Sequence, residues 1–411
     1  MISVKTEKEL ILITNRYPFY PGEEFLTLEL DYLCETFNKI HIIPVNARDF
    51  SRKRDLQSKV EVHIPHSFRR KTNLWGKLMS LSESQGRTWF IDELPNAIKH
   101  GPKGVGKLLS WVSNAVILRD YIEGSIFSER NINEFVLYSY WFTLAPGISL
   151  IKERNSSLPV YSRGHGGDIY EERHHPPYLP IKQKMTSLLD KIYLVSTNGK
   201  EYLANQTPEY SDKLTVSRLG TLKPLKLCKP STDGITRLVS CSYMVPVKRL
   251  KLLVEVLGYC KANIQWTHIG DGPERHKIEQ LVQDLPKNIE VHFTGSLKNE
   301  EVMSYYMQNT VDFFINVSSS EGIPVSIMEA YSCSIPAIAT DVGGTGELVN
   351  SQNGVLVQKD IKPLVLASIL DELASRPQGE KLKMREAALE TWNKCFNADT
   401  NYTKFAKEIG R

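Results

Sequence analysis

Short runs of branched and aromatic apolar residues recur along the whole chain, and most are continuous rather than alternating with polar residues. Continuous runs of this kind are typical of parallel strands that are buried on both faces of a sheet. The pattern predicts strands at Leu10–Thr14, Lys39–Val45, Phe135–Trp141, Lys191–Ser196, Leu238–Cys241, Ile264–Ile269, Ile289–Phe293, Val311–Val317 and Ala337–Thr340.

Between these runs lie segments whose apolar residues follow the helical period. They predict helices at Glu23–Phe37, Lys248–Cys260, Pro273–Leu285, Asn299–Gln308, Pro324–Ser332 and Ile361–Ala374. Alternation of strands and helices over the whole chain predicts an α/β fold with right-handed crossovers.

The segment Thr221–Gly234 carries two prolines and a glycine without any periodicity, which predicts a linker. It divides the chain into two Rossmann-like, doubly wound domains, residues 1–222 and residues 235–393. Because open parallel sheets bind ligands at the carboxyl ends of their strands, we expect the active site in a cleft between two facing sheets.

Composition adds little to this picture. The 411 residues are 41% hydrophobic and 24% charged, which is ordinary for a globular protein and excludes a collagen, a coiled-coil rod or a wholly disordered chain. A net charge of +4 is too small to indicate nucleic acid as a partner. The charge is uneven, because the segment Arg48–Lys77 holds nine basic residues against three acidic ones. An anionic surface or ligand and a solvated loop both explain that segment.

The six cysteines are scattered and none has C-x-x-C spacing, so a zinc ribbon or redox motif is not expected. Scattered single cysteines suit a reducing compartment, and we predict a cytoplasmic protein. No apolar run approaches the ~18 residues that a transmembrane helix needs.

The densest candidate chemistry lies in the stretch from Asn316 to Val349, which reads NVSSSEGIPVSIMEAYSCSIPAIATDVGGTGELV. Glu321 and Glu329 flank the start of a predicted helix and are too far apart to share one substrate atom. A carboxylate can accept from two vicinal hydroxyls, and a helix N-terminus is a seat for a diphosphate. The pattern therefore suits a nucleotide sugar, although two solvated glutamates on an amphipathic helix would give the same spacing.

The residues themselves resemble a family. The E-G-x-P-x-x-x-x-E pattern, followed by a Gly-Gly turn before Glu347, resembles the retaining glycosyltransferases of family 4 (group 1), which have the GT-B fold. Ser240–Leu250, His268–Pro273 and Phe293–Leu297 resemble further segments of that family in the same order. The resemblance is strong over residues 237–375 and weaker in the first half, where Tyr17–Phe25 and Ser162–Tyr170 carry it.

Carried over by position, the resemblance assigns roles around a nucleotide-sugar donor in the second domain. Glu321 would contact the hexose hydroxyls, Glu329 the ribose hydroxyls, and Lys248 the diphosphate. The remaining donor-binding positions are Arg249 beside that lysine, Gly295 in the loop that holds the base, and the turn residues Gly322, Ile323 and Pro324.

In the first half, the resemblance points to Gly22 after the first strand and to His165 in SRGHGGDIY, a transition-state contact. With Glu321 and Lys248, His165 completes the predicted catalytic set. The family usually has an arginine where this chain has Tyr243, so the second phosphate charge has to come from Arg249 or from the first domain. The sequence shows no Asp-x-Asp pair for a divalent ion, so we predict no metal and no cofactor. The resemblance also implies that the first domain binds the acceptor and that a C-terminal helix, residues 394–411, returns to it.

The prediction is a retaining hexosyltransferase that uses a nucleotide sugar, with a UDP-sugar as the leading donor. Its acceptor would be a glycan or a lipid-linked oligosaccharide in bacterial cell-surface polysaccharide synthesis. A sugar-nucleotide epimerase and a non-catalytic nucleotide-sugar binding protein stay open as alternatives. A dinucleotide dehydrogenase is not expected, because no G-x-G-x-x-G follows the first strand.

An enzyme with a lipid-linked acceptor would gain access to it by docking on an anionic membrane. Arg48–Lys77 is one candidate surface for that contact. A second is a helical face within Lys103–Ile122, although this face would equally well pack on the sheet. Its apolar residues are Leu108, Leu109, Trp111, Val112, Val116 and Ile117.

Overall fold

The computed structural model describes residues 5–65 and 74–411. The chain forms two compact units. The first ends at Ser217 and is joined by Tyr402–Arg411, and the second comprises Arg218–Asn401. The predicted linker, Thr221–Gly234, thus begins just inside the second unit, where bridges join Thr221 to Asn397 and Lys229 to Thr310.

The first unit is built on a seven-stranded sheet in the order β3-β2-β1-β4-β5-β6-β7, and every pairing is parallel. Its strands are β1 Glu9–Thr14, β2 Lys39–Pro44, β3 Val60–Val62, β4 Phe135–Ser139, β5 Val160–Gly164, β6 Lys191–Leu194 and β7 Leu214–Val216. Its α-helices are α1 Leu26–Thr36, α2 Leu74–Met79, α3 Ser84–Ile98, α4 Gly101–Tyr121, α5 Pro146–Arg154, α6 Lys182–Leu188 and α7 Thr197–Gln206.

The second unit is built on a six-stranded sheet in the order β10-β9-β8-β11-β12-β13, again parallel throughout. Its strands are β8 Thr236–Cys241, β9 Ile264–Ile269, β10 Ile289–Gly295, β11 Phe313–Asn316, β12 Ala337–Thr340 and β13 Gly354–Val357. Its α-helices are α8 Leu250–Tyr259, α9 Arg275–Leu281, α10 Asn299–Gln308, α11 Val325–Ser332, α12 Pro363–Ser375 and α13 Gln378–Cys395, and α14 Ala398–Ile409 continues into the first unit.

The continuous apolar runs reflect burial on both faces of each sheet. Along β1, Ile11 and Ile13 enter one hydrophobic cluster while Leu10 and Leu12 enter another. Residues on both faces of such a central strand therefore favour apolar side chains. The predicted fold class, two doubly wound parallel sheets, is confirmed.

A buried ion pair ties β5 to α1 in the first unit. The Arg163 guanidinium lies 3.1 Å from the Glu29 carboxylate, both side chains are fully buried, and Tyr138 donates to Glu29 at 2.9 Å. Arg163 also lies over the ring of Phe405, from the returning C-terminal segment, at 4.3 Å. Removing one partner of such a pair leaves a buried, uncompensated charge, which costs about 3–5 kcal/mol.

Each sheet has one point where its strand order reverses, between β1 and β4 in the first unit and between β8 and β11 in the second. At such a point the loops that follow the two strands leave in opposite directions and open a crevice at the carboxyl edge. The two crevices are where ligand-binding residues are expected.

The face of Lys103–Ile122 packs inside the first unit. The segment forms most of α4, and Leu108, Leu109, Val112 and Val116 are all buried. This face is therefore part of the core and unavailable to a membrane. In the part of the chain that the structure describes, no helix combines the length and apolarity needed to cross a bilayer.

Candidate functional site

In the second unit, the crevice between β8 and β11 brings two predicted residues together. The turn after β8 ends in a short 3₁₀ segment, Pro246–Lys248, and Ser319 after β11 donates its backbone N–H to the Val247 carbonyl at 2.8 Å. Across this junction the Lys248 Nζ lies 2.6 Å from the Glu321 carboxylate, to which Asn316 donates a longer hydrogen bond of 3.2 Å. A cation and a carboxylate are thus held side by side at the sheet edge.

Arg249, the next residue, has a left-handed backbone with φ of 51°, and its guanidinium points into the sheet edge. It donates to the carbonyls of Val317 at 2.6 Å, Lys359 at 2.6 Å and Ser318 at 3.3 Å. These contacts anchor the loop after β11. A contact between Arg249 and phosphate would have to use guanidinium N–H groups that do not make these three hydrogen bonds, and this contact stays a prediction. Tyr243, in the position where the family has arginine, is 62% exposed.

The predicted donor-binding helix is α11, which begins at Val325 with Pro324 as its N-cap. Glu329 lies in its second turn and is only 8% exposed. Its carboxylate accepts a hydrogen bond of 2.5 Å from the Asn299 side chain at the start of α10. Burial raises the pKa of Glu329 to about 7, against the lowering effect of the Asn299 bond. A buried carboxylate with so little solvation is well placed to accept from ligand hydroxyls.

The turn between Glu321 and α11 depends on a glycine from another loop. Gly322 accepts a hydrogen bond of 2.6 Å from the Gly344 N–H, and Gly343 has a φ of +56°. A Cβ on Gly343 would lie 2.0 Å from the Glu321 carbonyl oxygen. The Gly-Gly turn therefore packs directly against the backbone of Glu321 and Gly322. Ile323, the next residue, is buried.

Glycines also allow close packing between the loop after β9 and the end of β10. Gly270 after β9 donates to the Gly295 carbonyl at 2.9 Å, and Gly295 has a φ of +76°. A Cβ on Gly270 or on Gly272 would run into the backbone of residues 242–244. The glycines let three strand-end loops pack together, which places Gly295 against the loop after β9, and its contact with the base stays a prediction.

His165 follows β5 in the first unit and is enclosed by three aromatic rings. The ring centroid of Trp141 lies 4.5 Å away, that of Tyr140 4.9 Å and that of Phe25 5.8 Å. Both ring nitrogens are buried without a hydrogen-bond partner among the described residues. Burial, with Arg163 nearby, lowers the pKa of His165 well below its ordinary value, so the imidazole is neutral at pH 7. Such a pair of unsatisfied nitrogens is costly unless a ligand completes it.

Glu23 organises this part of the first unit, and no local sequence pattern indicates its role. Its buried carboxylate accepts from the backbone N–H groups of Asn15, Arg16 and Tyr17 at 2.6–2.9 Å and from the Trp141 indole at 2.6 Å. Its φ of 59° is strained for a residue with a side chain. The predicted residue just before it, Gly22, has a φ of +102° and open space around it.

The first unit also holds an open cavity of about 290 Å³ beside the carboxyl ends of β2 and β4. Trp111 on α4 provides an aromatic face, and Asn46, Asn114 and Thr143 provide polar groups. Aromatic faces with a few amides and hydroxyls suit a polyhydroxylated ligand. No local sequence pattern indicates this cavity, because its lining comes from separate loops and helices.

Comparison with known proteins identifies the family. Residues 232–391 match the sequence profile of the family described as Glycosyl transferases group 1. An uncharacterized glycosyltransferase from Methanocaldococcus jannaschii is 32% identical over 313 residues, which cover 74% of this chain and 84% of that protein. The chain belongs to the glycosyl transferase group 1 family. The resemblance is confirmed at this level, while the assignment to family 4 and to a retaining mechanism stays a prediction.

Solved structures confirm the GT-B fold of this glycosyltransferase. The lipopolysaccharide outer core galactosyltransferase WaaB in its apo form superposes with a TM-score of 0.70 at 14% identity, covering 98% of both chains. HepE from Anabaena in complex with UDP and glucose gives 0.65 at 15% identity, covering 97% of this chain and 98% of HepE. Several other curated relatives match only in part, and the chain spans about 30% of their length.

Proposed function

We propose that this glycosyltransferase moves a hexose from a nucleotide sugar to a glycan acceptor with retention of anomeric configuration. The observation that carries the proposal is the crevice of the second unit. There Lys248 and Glu321 form a 2.6 Å ion pair, and Glu329 is buried on the helix that begins beside them. A cation, a helix N-terminus and two carboxylates match the diphosphate and the two sugar rings of such a donor.

Each group has a separate task in this scheme. Glu329 accepts from the ribose hydroxyls, and Glu321 from the hexose hydroxyls. Lys248 and the first N–H groups of α11 stabilise the negative charge that grows on the diphosphate as the bond to the hexose breaks. The neutral imidazole of His165 is proposed to donate to a hydroxyl of the sugar being transferred. UDP is the favoured nucleotide, because the structural neighbour HepE was solved with UDP and glucose.

Retention is proposed from the family resemblance, and a front-face route to it is proposed because no carboxylate among the described candidate residues stands ready as a nucleophile. Glu321 is held by Lys248, Glu329 by Asn299, and Asp168 by the backbone N–H groups of Phe142 and His165. Without a covalent intermediate, retention requires the acceptor to arrive on the face that the diphosphate leaves. The departing phosphate then takes the acceptor proton.

The acceptor is proposed to be a glycan, bound in the cavity beside Trp111. At about 290 Å³ the cavity is at the small end of ligand pockets and suits a single sugar ring. WaaB, a structural neighbour, is a lipopolysaccharide galactosyltransferase, which favours a surface polysaccharide as the product.

Trp111→Ala should raise the acceptor KM and leave donor hydrolysis unchanged. The same substitution at exposed Tyr259 is the control.

The decisive experiment is a hydrolysis and transfer screen over UDP-, GDP- and ADP-sugars, with the anomeric configuration of the product read by NMR. We expect one UDP-sugar to be consumed and its configuration to be kept. An inverted product would overturn retention, and release of a C2 epimer without acceptor would favour the epimerase alternative.

Activity is expected to persist in EDTA, because Lys248 and α11 supply the charge. Complete loss with rescue by magnesium or manganese would contradict this.

A further inference from the structure

Three metal-ligating side chains meet at the β3 edge of the first sheet. β2 and β3 pair with His41 directly opposite Glu61, and His63 follows two residues later on the same face. The Nδ1 of His41 lies 2.9 Å from the Nε2 of His63. The Glu61 carboxylate oxygens lie 3.9 Å from the first nitrogen and 3.7 Å from the second.

The outer nitrogen of each imidazole already has a partner. His41 places its Nε2 2.6 Å from the Glu9 carboxylate, which Arg130 holds through two hydrogen bonds of 2.7 and 3.0 Å. The network therefore assigns the His41 proton to Nε2 and leaves a lone pair on Nδ1. The Nδ1 of His63 lies 3.4 Å from the Tyr121 hydroxyl, which can accept its proton. Histidine ligands to metals are usually fixed by an outer hydrogen bond of this kind.

Both imidazoles are largely enclosed by the fold. His41 is 3% exposed and the His63 side chain 15%.

We propose that His41 Nδ1, His63 Nε2 and one Glu61 oxygen bind a zinc ion. Two imidazoles and a carboxylate are a common zinc ligand set, with a water completing the tetrahedron. Tetrahedral bonds of about 2.0–2.1 Å put the ligand atoms roughly 3.3 Å apart. The three ligand atoms already lie within 4.8 Å of one another. The ion would fix the three-residue edge strand β3 to β2. The proposal does not depend on the glycosyltransferase function, because it is tested by measuring zinc binding directly.

The competing arrangement is a hydrogen bond from His63 Nε2 to His41 Nδ1, which satisfies both rings without a metal. Lys39 also pairs with Glu61 at 2.6 Å, but both side chains are 40% or more exposed. A pair this exposed is worth about 0–1 kcal/mol, so zinc can displace the lysine. The two arrangements differ in one measurable property, stoichiometric zinc binding.

The test is isothermal titration of the EDTA-treated and dialysed full chain with zinc chloride. We expect one zinc ion per chain, with affinity at least tenfold weaker in His63→Ala and in Glu61→Gln. His292→Ala is the matched control, because His292 is exposed beside Glu290 in the other unit and should leave the titration unchanged. Equal titrations for the wild type and both cluster variants, or no stoichiometric binding, would overturn the proposal.

Cobalt substitution separates this cluster from the free cysteines. We expect the visible bands of tetrahedral Co²⁺ without a thiolate charge-transfer band. A thiolate band that survives in His63→Ala would place the metal on a cysteine and overturn the proposal. Because Glu61 is half-exposed, Glu61→Gln should fold normally, and circular dichroism checks this. Zinc should raise the unfolding temperature of the wild type and leave that of Glu61→Gln unchanged.

Discussion

At the scale of single residues, the proposed role of the Glu329 carboxylate in nucleotide binding can be tested directly. It is buried and accepts from Asn299, with capacity to accept from two ribose hydroxyls as well. Glu329→Ala should weaken nucleotide binding by about 5- to 150-fold, because ligand hydroxyls left unpaired cost about 1–3 kcal/mol. Calorimetry with UDP measures the effect, and exposed Glu390→Ala is the control. An unchanged affinity for the nucleotide that the enzyme uses would remove Glu329 from the site.

The same residue predicts how stability depends on pH. Burial raises the pKa of Glu329 to about 7, from an ordinary value of 4.5. Between these values the folded chain keeps a proton that the unfolded chain has lost, so this group destabilises the fold as pH rises from about 4.5 to 7. Glu329→Gln should flatten that part of the stability profile. Thermal unfolding across the pH range tests this, and a parallel shift of the profile without any change of slope would contradict it.

Lys248 is predicted to act on turnover. Its Nζ lies 2.6 Å from Glu321, and its charge is needed most as the diphosphate departs. Lys248→Ala should lower kcat about 100-fold, in the range found for the loss of one transition-state donor. Exposed Lys251→Ala, three residues further along, is the control. Steady-state kinetics decide the matter, and equal losses in the two variants would show that Lys248 has no special role.

At the scale of elements, one glycine turn controls the position of Glu321. A Cβ on Gly343 would lie 2.0 Å from the Glu321 carbonyl oxygen, so Gly343→Ala has to displace the turn or the backbone of Glu321. We expect a loss of activity of at least tenfold, beyond the roughly 1 kcal/mol that a positive φ costs alanine. Gly234→Ala is matched, because Gly234 has a φ of +79° and open space around it. Kinetics and thermal unfolding of both variants separate displacement from strain, and equal activities would contradict the assignment.

Elements were predictable where hydrophobic periodicity and burial agree. Ile264–Ile269 and Asn299–Gln308 have the predicted bounds, since each is a continuous apolar run or a capped amphipathic segment. The predictions failed where an element is short or mixed in composition, as in the helices Ser84–Ile98 and Gln378–Cys395. The strands Val60–Val62, Leu214–Val216 and Gly354–Val357 were also missed, because each has three or four residues that include a polar residue or a glycine.

The same limit applies to the site. Glu321, Glu329 and Lys248 stand in a recognisable local pattern, so the sequence alone could identify them. The partners that complete them come from distant strands and helices. Asn299 reaches Glu329 from α10, and His41 meets His63 only through strand register. No local spacing encodes such pairs, because they depend on which strands are neighbours in the sheet.

At the scale of the whole molecule, the two sheets share one topology. The first strand of each unit, β1 or β8, lies inside its sheet, and the strand order reverses once beside it. Polar groups follow the strands near each reversal. In the second unit the polar groups form a compact cluster around Lys248, whereas in the first they frame the aromatic surroundings of His165. The first unit therefore presents mainly aromatic and apolar surface, and the second presents charged side chains. This difference fits the proposed function, in which the first unit binds the acceptor and the second binds the charged donor.

Membrane association is the remaining prediction for the molecule as a whole, and it now depends on Arg48–Lys77. Part of this charge is used inside the fold, since Arg54 is buried beside Tyr20 and Lys59 donates to the Phe37 carbonyl. Arg48, Arg52 and Lys53 are exposed, and the basic residues at 69–71 lie outside the described residues. Basic side chains near anionic lipid gain about 1 kcal/mol each, so a few suffice for weak, salt-sensitive docking.

Sedimentation with vesicles tests this. The wild type should bind vesicles that contain phosphatidylglycerol and should bind neutral phosphatidylcholine vesicles much less. Reversal of Arg69, Arg70 and Lys71 to Glu should reduce binding at least tenfold, because three attractive charges become repulsive. Reversal of the same number of exposed charges in the second unit, at Lys223, Lys226 and Lys383, should leave binding nearly unchanged. Equal binding to both lipids, or equal losses in the two reversed variants, would mean that the basic residues of Arg48–Lys77 are solvated and do not contact a membrane.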